Sequence, residues 1–270
     1  MPPHQSQEHQ LCWMEATAYK MINPFDFADK TILISGAAAG IGLKTAKQLD
    51  KAGAKLILLD RDEIALDKLA VSFGSRIFRY RVDMAETASL STHLKKIIAS
   101  VGPLDGLVYC VGARSRRPLK LIKPIESQKI MNVNFFAFIE MVRLVTRKGN
   151  FKSGLSIVGI SSIASIRGGS GVTLYAASKA AMDASVRCLA KELAPKNIRL
   201  NTVTPAQIDT PAYRQLLEQS ANQNDPTLAR QYLGLGEQSD VANIIMFLLS
   251  PASKFITGSA IPVDGGFLST

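Results

Sequence analysis

The chain has 270 residues, a formal net charge of +10 and a hydrophobic share of 47%. That length suits one large α/β domain with a full core, and that share excludes a disordered chain. No apolar run approaches the ~20 residues of a membrane span; the three cysteines, Cys12, Cys110 and Cys188, make no disulfide scaffold; and the basic residues are scattered, with aromatics at only 7% and no nucleic-acid motif.

These bounds predict a cytoplasmic protein with a basic solvated surface, no membrane association, no metal site and no nucleic-acid partner. The chain opens on polar residues without the apolar core of a signal peptide. Residues 1–20 lack periodicity and read as a disordered extension, with Met21 as a second possible start and the folded domain over 21–270. Then strands and helices alternate. A strand over 31–35 runs into a glycine-rich turn and a helix to about Gly53. Strands follow at 55–60, 77–82, 106–111, 155–160, 198–203 and 260–263. Helices between them fall near 62–72, 86–100, 126–148, 173–194 and 239–249, and the stretch 207–236 is polar and irregular. Such alternation predicts a single-domain, doubly wound α/β (Rossmann) fold with a parallel seven-stranded sheet and helices on both faces. Residues 207–236 are expected as a lid at the carboxyl edge of the strands, where ligands bind.

The turn after the first strand reads Ser35-Gly-Ala-Ala-Ala-Gly-Ile-Gly42. Glycines at Gly36, Gly40 and Gly42 let the backbone turn tightly and approach a pyrophosphate, whose charge is stabilised by free N–H groups at the helix start. The spacing G-x-x-x-G-x-G differs from G-x-G-x-x-G, and a plain tight connection is the alternative. Asp60 ends the second strand, where a carboxylate accepts from the adenosine ribose hydroxyls and repels a 2′-phosphate, which favours NAD over NADP. Arg61 follows at once and can pair with a phosphate, so NADP stays open. Asp83, after the third strand, either hydrogen-bonds an adenine amino group or caps a helix.

Tyr175 and Lys179 stand four residues apart in Leu174-Tyr-Ala-Ala-Ser-Lys179. On a helix both leave one face a turn apart. An ammonium beside a phenol favours the phenolate, and a phenol that exchanges its proton near neutral pH is a usable general acid/base. The pair alone is also what an ordinary amphipathic helix contains.

Beside these residues the chain closely resembles the short-chain dehydrogenase/reductase family from about Lys30 to Phe267. Ser35 to Gly42 is similar to the family's TGxxxGIG turn, with Ser for Thr. Asn134, in Met131-Asn-Val-Asn-Phe135, and Ser162, in Ile160-Ser-Ser-Ile163, fall at the family's catalytic Asn and Ser positions. Thr204-Pro-Ala-Gln-Ile-Asp-Thr210, Phe255-Ile-Thr-Gly258 and Val263-Asp-Gly-Gly266 resemble its later signatures. Two departures stand out: the family's NNAG appears as Tyr109-Cys-Val-Gly112, without its sheet-supporting Asn, and Ala206 replaces a glycine.

The resemblance implies a ketone–secondary alcohol oxidoreductase using NAD(H) or NADP(H). Tyr175 is then the general acid/base, and Lys179 supports it while binding the nicotinamide ribose. Ser162 donates to the substrate oxygen, and Asn134 holds a water that links Lys179 to solvent. Ile208 and Thr210 hold the nicotinamide carboxamide, and Ser35, Ile41, Met84, Cys110, Gly112 and Pro205 complete the dinucleotide pocket. A 3-oxoacyl-thioester reductase is the leading activity, although Asp60 counts against the NADPH common in biosynthetic reductases. Polyol, sugar or steroid alcohol dehydrogenases and a non-catalytic nucleotide-binding regulator are the alternatives.

Substrate features are fewer. Arg114, Arg116, Arg117, Lys120 and Lys123 cluster after the fourth strand, and the three arginines either receive an anionic or carrier-bound substrate or form a solvated loop. Tyr213, Leu216, Leu217 and Tyr232 either face the substrate from the lid or pack its own helices. Small residues along 173–194, such as Ala176, Ala180 and Ala184, permit close helix approach and a homotetramer or homodimer.

Overall fold

The computed structural model describes residues 23–69, 72–74, 76–218 and 227–269. The expected extension over 1–20, Cys12 and Met21 lie outside the described residues. The strands are β1 (Thr31–Ser35), β2 (Lys55–Asp60), β3 (Ile77–Arg81), β4 (Leu104–Tyr109), β5 (Phe151–Ile160), β6 (Arg199–Pro205) and β7 (Ala260–Val263). They form a 7-stranded sheet in the order β3-β2-β1-β4-β5-β6-β7, and every neighbouring pair is parallel.

Two helical layers cover this sheet, so its central strands are apolar on both faces. The pleat divides them. Leu33, Ile57, Leu107 and Ile157 pack with α3 (Leu90–Val101), α5 (Ala137–Val145) and α6 (Thr173–Leu193). Ile32, Ile34, Leu58, Val108 and Val158 pack on the other face with α1 (Gly40–Lys51), α2 (Glu63–Leu69) and α8 (Gln238–Leu249). Each such fully buried side chain contributes about 1.5–3 kcal/mol. Among the described residues no helix is long and apolar enough to cross a membrane.

From β1 the chain runs outward to β2 and β3, then returns to place β4 on the other side of β1. The connections leaving β1 and β4 therefore diverge and open a crevice at the strand carboxyl ends.

Several elements differ from the sequence expectation, β5 among them, which starts at Phe151 rather than 155. The helix expected over 126–148 is α4 (Pro124–Met131), a π-helical turn at Asn132–Phe136, and then α5. β4 starts at Leu104 rather than 106, because Asp105 interrupts the apolar run yet belongs to the strand. Its carboxylate accepts from Thr31 N at 2.9 Å and from Lys152 Nζ at 2.7 Å. The irregular stretch contains α7 (Pro211–Glu218) and a short 3-10 turn at Leu228–Arg230. Gln231 ties it to the sheet edge by accepting from Gln207 N at 2.7 Å and donating to Gly234 O at 2.7 Å.

Candidate active site

A cleft of about 530 Å³ lies at the carboxyl ends of the strands. Its first wall is the turn from β1 into α1. Gly36 (φ 70°) and Gly40 (φ 55°) adopt left-handed backbone that side chains disfavour. A Cβ on Gly42 would stand 2.1 Å from Gly36 O, so only glycine lets α1 start this close to the turn. No side chain caps the start of α1, and its first turn holds no acidic residue. Its free N–H groups and dipole suit a phosphate anion.

Asp60 sits at the neighbouring strand end. Its Oδ2 accepts from Ala38 N at 3.0 Å and its Oδ1 from Asp62 N at 3.1 Å, so the carboxylate fixes the glycine turn. An ionised carboxylate has about four lone-pair sites, so acceptor capacity remains for ribose hydroxyls. Arg61, Asp83 and Met84 line the same end. Asp83 lies two residues beyond β3 and caps a turn rather than a helix, with Oδ1 accepting from Ala85 N at 2.9 Å. Cys110, Gly112, Pro205, Ile208 and Thr210 line the middle of the cleft. Burial pushes the Cys110 thiol up to about 12, against a smaller lowering by Lys179. Ser35 is fully buried behind the turn, and its hydroxyl has no hydrogen-bond partner among the described residues. Glycine turn, uncapped helix start and ribose-side carboxylate together fit an adenine dinucleotide.

At the other end stand Tyr175, Lys179 and Ser162. α6 buries Ser178, Lys179, Met182, Asp183, Val186 and Ala190, a stripe at helical spacing that faces the sheet. Tyr175, Lys179 and Asp183 occupy three successive turns of it. The Lys179 ammonium lies 6.0 Å from the centre of the Tyr175 ring and donates to Ile160 O at 2.7 Å. Burial lowers its pKa to about 8; Asp183 and Cys110 pull it up, and Arg114 pushes it further down. A Cβ on Gly112 would stand 3.4 Å from that ammonium, so glycine keeps the approach to it open.

Ser162 stands two residues beyond the end of β5. Its hydroxyl accepts from Ala164 N at 3.2 Å and so does cap a turn. Accepting leaves its own proton to donate into the cleft.

Asn134 is fully buried and stands behind the cleft wall. Its Oδ1 accepts from Ala113 N at 2.7 Å, and its Nδ2 donates to Ala113 O at 2.9 Å and to Ser178 Oγ at 2.8 Å. Ser178 in turn donates to Tyr175 O at 2.8 Å. The amide therefore anchors the loop after β4 to the turn of α6 that carries Tyr175. With both amide hydrogens engaged, a water at this side chain has only the remaining lone pair of Oδ1.

The altered Tyr109-Cys-Val-Gly112 motif has its own support. Tyr109 is fully buried and donates from Oη to Val133 O at 2.6 Å, inside the π-helical turn. Its ring meets Phe138 edge-on at 5.5 Å, and burial pushes its pKa well above the usual tyrosine range.

Sequence reasoning missed Asp183. This buried carboxylate accepts from Ser161 Oγ at 2.9 Å and from Thr202 Oγ1 at 2.7 Å. An acidic residue four positions past Lys179 on the buried stripe was the signal available. Of the residues expected in a lid, Tyr213 is buried and lines the cleft, whereas Tyr232 is 67% exposed and covers Gly266. Leu216 and Leu217 are half-buried, away from the cleft wall.

Residues 36–268 match the family model described as enoyl-(acyl carrier protein) reductase. The chain is 36% identical over 252 residues to an L-xylulose reductase of Caenorhabditis elegans, covering 90% of this chain and 97% of that protein. It is 33% identical over 243 residues to a 3-oxoacyl-(acyl-carrier-protein) reductase of Thermotoga maritima, covering 88% and 98%. A solved structure titled short-chain dehydrogenase/reductase, glucose/ribitol dehydrogenase, from Brucella melitensis superposes with a TM-score of 0.84 at 32% identity, covering 90% of this chain and 98% of that one.

Proposed function

The chain belongs to the short-chain dehydrogenase/reductase family and is an NAD(P)-dependent oxidoreductase acting on CH–OH groups; from that premise we propose that Tyr175, Lys179, Ser162 and Asn134 carry the reaction. The observation that carries this reading is the sharing of one cleft by Tyr175, Ser162, Lys179 and the uncapped glycine turn.

A nicotinamide dinucleotide, when bound in this cleft, would supply or take the hydride. The Tyr175 hydroxyl gives its proton to the carbonyl oxygen in reduction and takes it back in oxidation. Lys179 holds positive charge beside that phenol and donates to the nicotinamide ribose. Ser162 donates to the substrate oxygen, where negative charge develops and a fixed donor counts most. Asn134 positions α6 and holds a water on its Oδ1 side for proton return. Ile208 and Thr210 orient the nicotinamide carboxamide.

Asp60 supports NAD as the preferred cofactor, because a carboxylate accepts ribose hydroxyls and repels a 2′-phosphate. The likeness to a 3-oxoacyl-(acyl-carrier-protein) reductase supports a 3-oxoacyl-thioester substrate, and that to L-xylulose reductases supports a polyol or sugar. Exposed Leu119, Leu121, Ile125 and Phe136, on and just before the α4–α5 segment, support a homotetramer or homodimer. Among the described residues Cys110 and Cys188 are free thiols, which supports a cytoplasmic location. The test is a panel of ketones and secondary alcohols assayed with NAD(H) and NADP(H). Turnover of 3-oxoacyl thioesters or of ketoses sorts the two substrate readings, and no turnover of any member with either cofactor contradicts both.

A further inference from the structure

The basic residues after β4 have separate fates. Arg117 donates its backbone N–H to Gly171 O at 2.7 Å, and its Nε lies 3.2 Å from Glu126 Oε1. The Arg116 side chain runs along Gly171, its Cγ 3.4 Å from where a Cβ would stand. Lys120 and Lys123 are exposed and lie off the cleft wall. Arg114 is the one of the five that lines the cleft.

Its guanidinium carbon stands 5.4 Å from the centre of the Tyr175 ring, close enough for a cation–π contact. Among the described residues no carboxylate lies within ion-pair distance of it. An arginine side chain is long and flexible, so its place against the phenol needs a cause, and the ring contact supplies one. That contact leaves the planar fork of N–H donors unmatched by any acid.

Charge in the cleft is distributed unevenly. The carboxylates on its wall, Asp60 and Asp83, belong to β2 and the turn beyond β3, on the glycine-turn side of the sheet. Near Tyr175 the nearest carboxylate of α6, Asp183, is buried with both oxygens taken by Ser161 and Thr202. The exposed charge at the tyrosine end is therefore positive. The anionic pyrophosphate of a dinucleotide has its own site at the start of α1, so it does not account for a free guanidinium here.

We infer that Arg114 is a substrate-binding residue that selects oxo acids, taking the substrate carboxylate while the carbonyl lies against Tyr175 and Ser162. This rests on the hydride-transfer reading only for where the carbonyl sits. The guanidinium forms a two-point, charge-assisted contact with a carboxylate, the geometry for which arginine is suited. A bound carboxylate also relieves the repulsion between Arg114 and Lys179, which acts to lower the Lys179 pKa.

The test uses the full chain saturated with NADH or NADPH. Binding of a set of oxohexanoates and their methyl esters is measured by calorimetry, and turnover of the same pairs is followed separately. Each pair has one ketone and differs only in charge. The wild type is expected to bind at least one acid about tenfold or more tighter than its ester. Arg114→Gln is expected to collapse that ratio by about ten- to hundredfold, the usual worth of a hydrogen bond to a charged group. Arg114→Lys is expected to keep part of it. Because the ratio is internal to each protein, a general disturbance of Tyr175 does not alter it. No preference for any acid in the wild type, an unchanged ratio in Arg114→Gln, or a loss confined to dinucleotide affinity overturns the inference. Preference without turnover of either partner contradicts the redox reading and leaves the anion site standing.

Discussion

Lys179 donates from Nζ to the carbonyl oxygen of Ile160 at 2.7 Å, joining the second turn of α6 to the last residue of β5. This bond holds a buried ammonium at the cleft floor and sets which charges surround it. Cys110 faces it from the end of β4, Arg114 from the loop beyond, and Tyr175 and Asp183 from the turns before and after it on α6.

One consequence is kinetic. With its pKa lowered to about 8, chiefly by burial, Lys179 is charged below that pH and neutral above it. The kcat profile of the wild type is expected to fall through an alkaline limb near pH 8. Asp183→Asn removes the negative charge that pulls this pKa up. The limb should then move to lower pH. A pH–rate profile of both proteins checks this, and coincident limbs would remove Asp183 from the electrostatics of the site.

The same group links stability to pH. Its folded-state pKa of about 8 lies below the ordinary lysine value of 10.5. Between those values the unfolded chain binds more protons, so this lysine makes the fold more stable as pH rises through the window. Below about 8 its burial penalty is fully present. The gap in unfolding free energy between wild type and Lys179→Met should change in favour of the wild type by about 3 kcal/mol at most across that window. Denaturant unfolding at several pH values measures it; a gap independent of pH contradicts a buried, charged lysine.

Tyr109 offers a test of the unusual motif. Tyr109→Phe keeps the ring against Phe138 but leaves the Val133 carbonyl without its donor. A loss of about 1–3 kcal/mol is expected from an unsatisfied buried acceptor. Thermal unfolding should show it as a Tm lower by several degrees. An unchanged Tm would mean that the π-helical turn beside Asn134 is held by other contacts.

The proposed preference for NAD rests on Asp60. Asp60→Ala removes both the ribose-side acceptor and the charge opposed to a 2′-phosphate, with Arg61 still in place. The ratio of kcat/KM for NADH over NADPH should fall by about tenfold or more. An equal loss for both cofactors would assign Asp60 to holding Ala38 and the glycine turn alone.

Much of this site was legible because its residues obey spacing rules. The helical stripe brings Tyr175 and Lys179 together, and Gly42 is demanded by a contact no side chain could make. What the sequence hid depended on long-range packing. A helix reading of 126–148 runs through the π-helical turn, because a local period cannot register the one extra residue that this turn inserts around the buried Asn134. The loss of the sheet-supporting asparagine looked like a defect, since nothing local says that Tyr109 reaches Val133. The five basic residues after β4 read as one cluster, yet only the return of the chain at Gly171 separates Arg117 from Arg114.

The most direct measurement compares wild type with Tyr175→Phe in the oxidation of NADH or NADPH by a panel of ketones, with dinucleotide affinity measured on the same samples. The phenylalanine variant is expected to bind the dinucleotide within about threefold of wild type and to lose turnover by about a thousandfold or more. Equal rates in the two proteins would contradict the assignment of proton transfer to Tyr175.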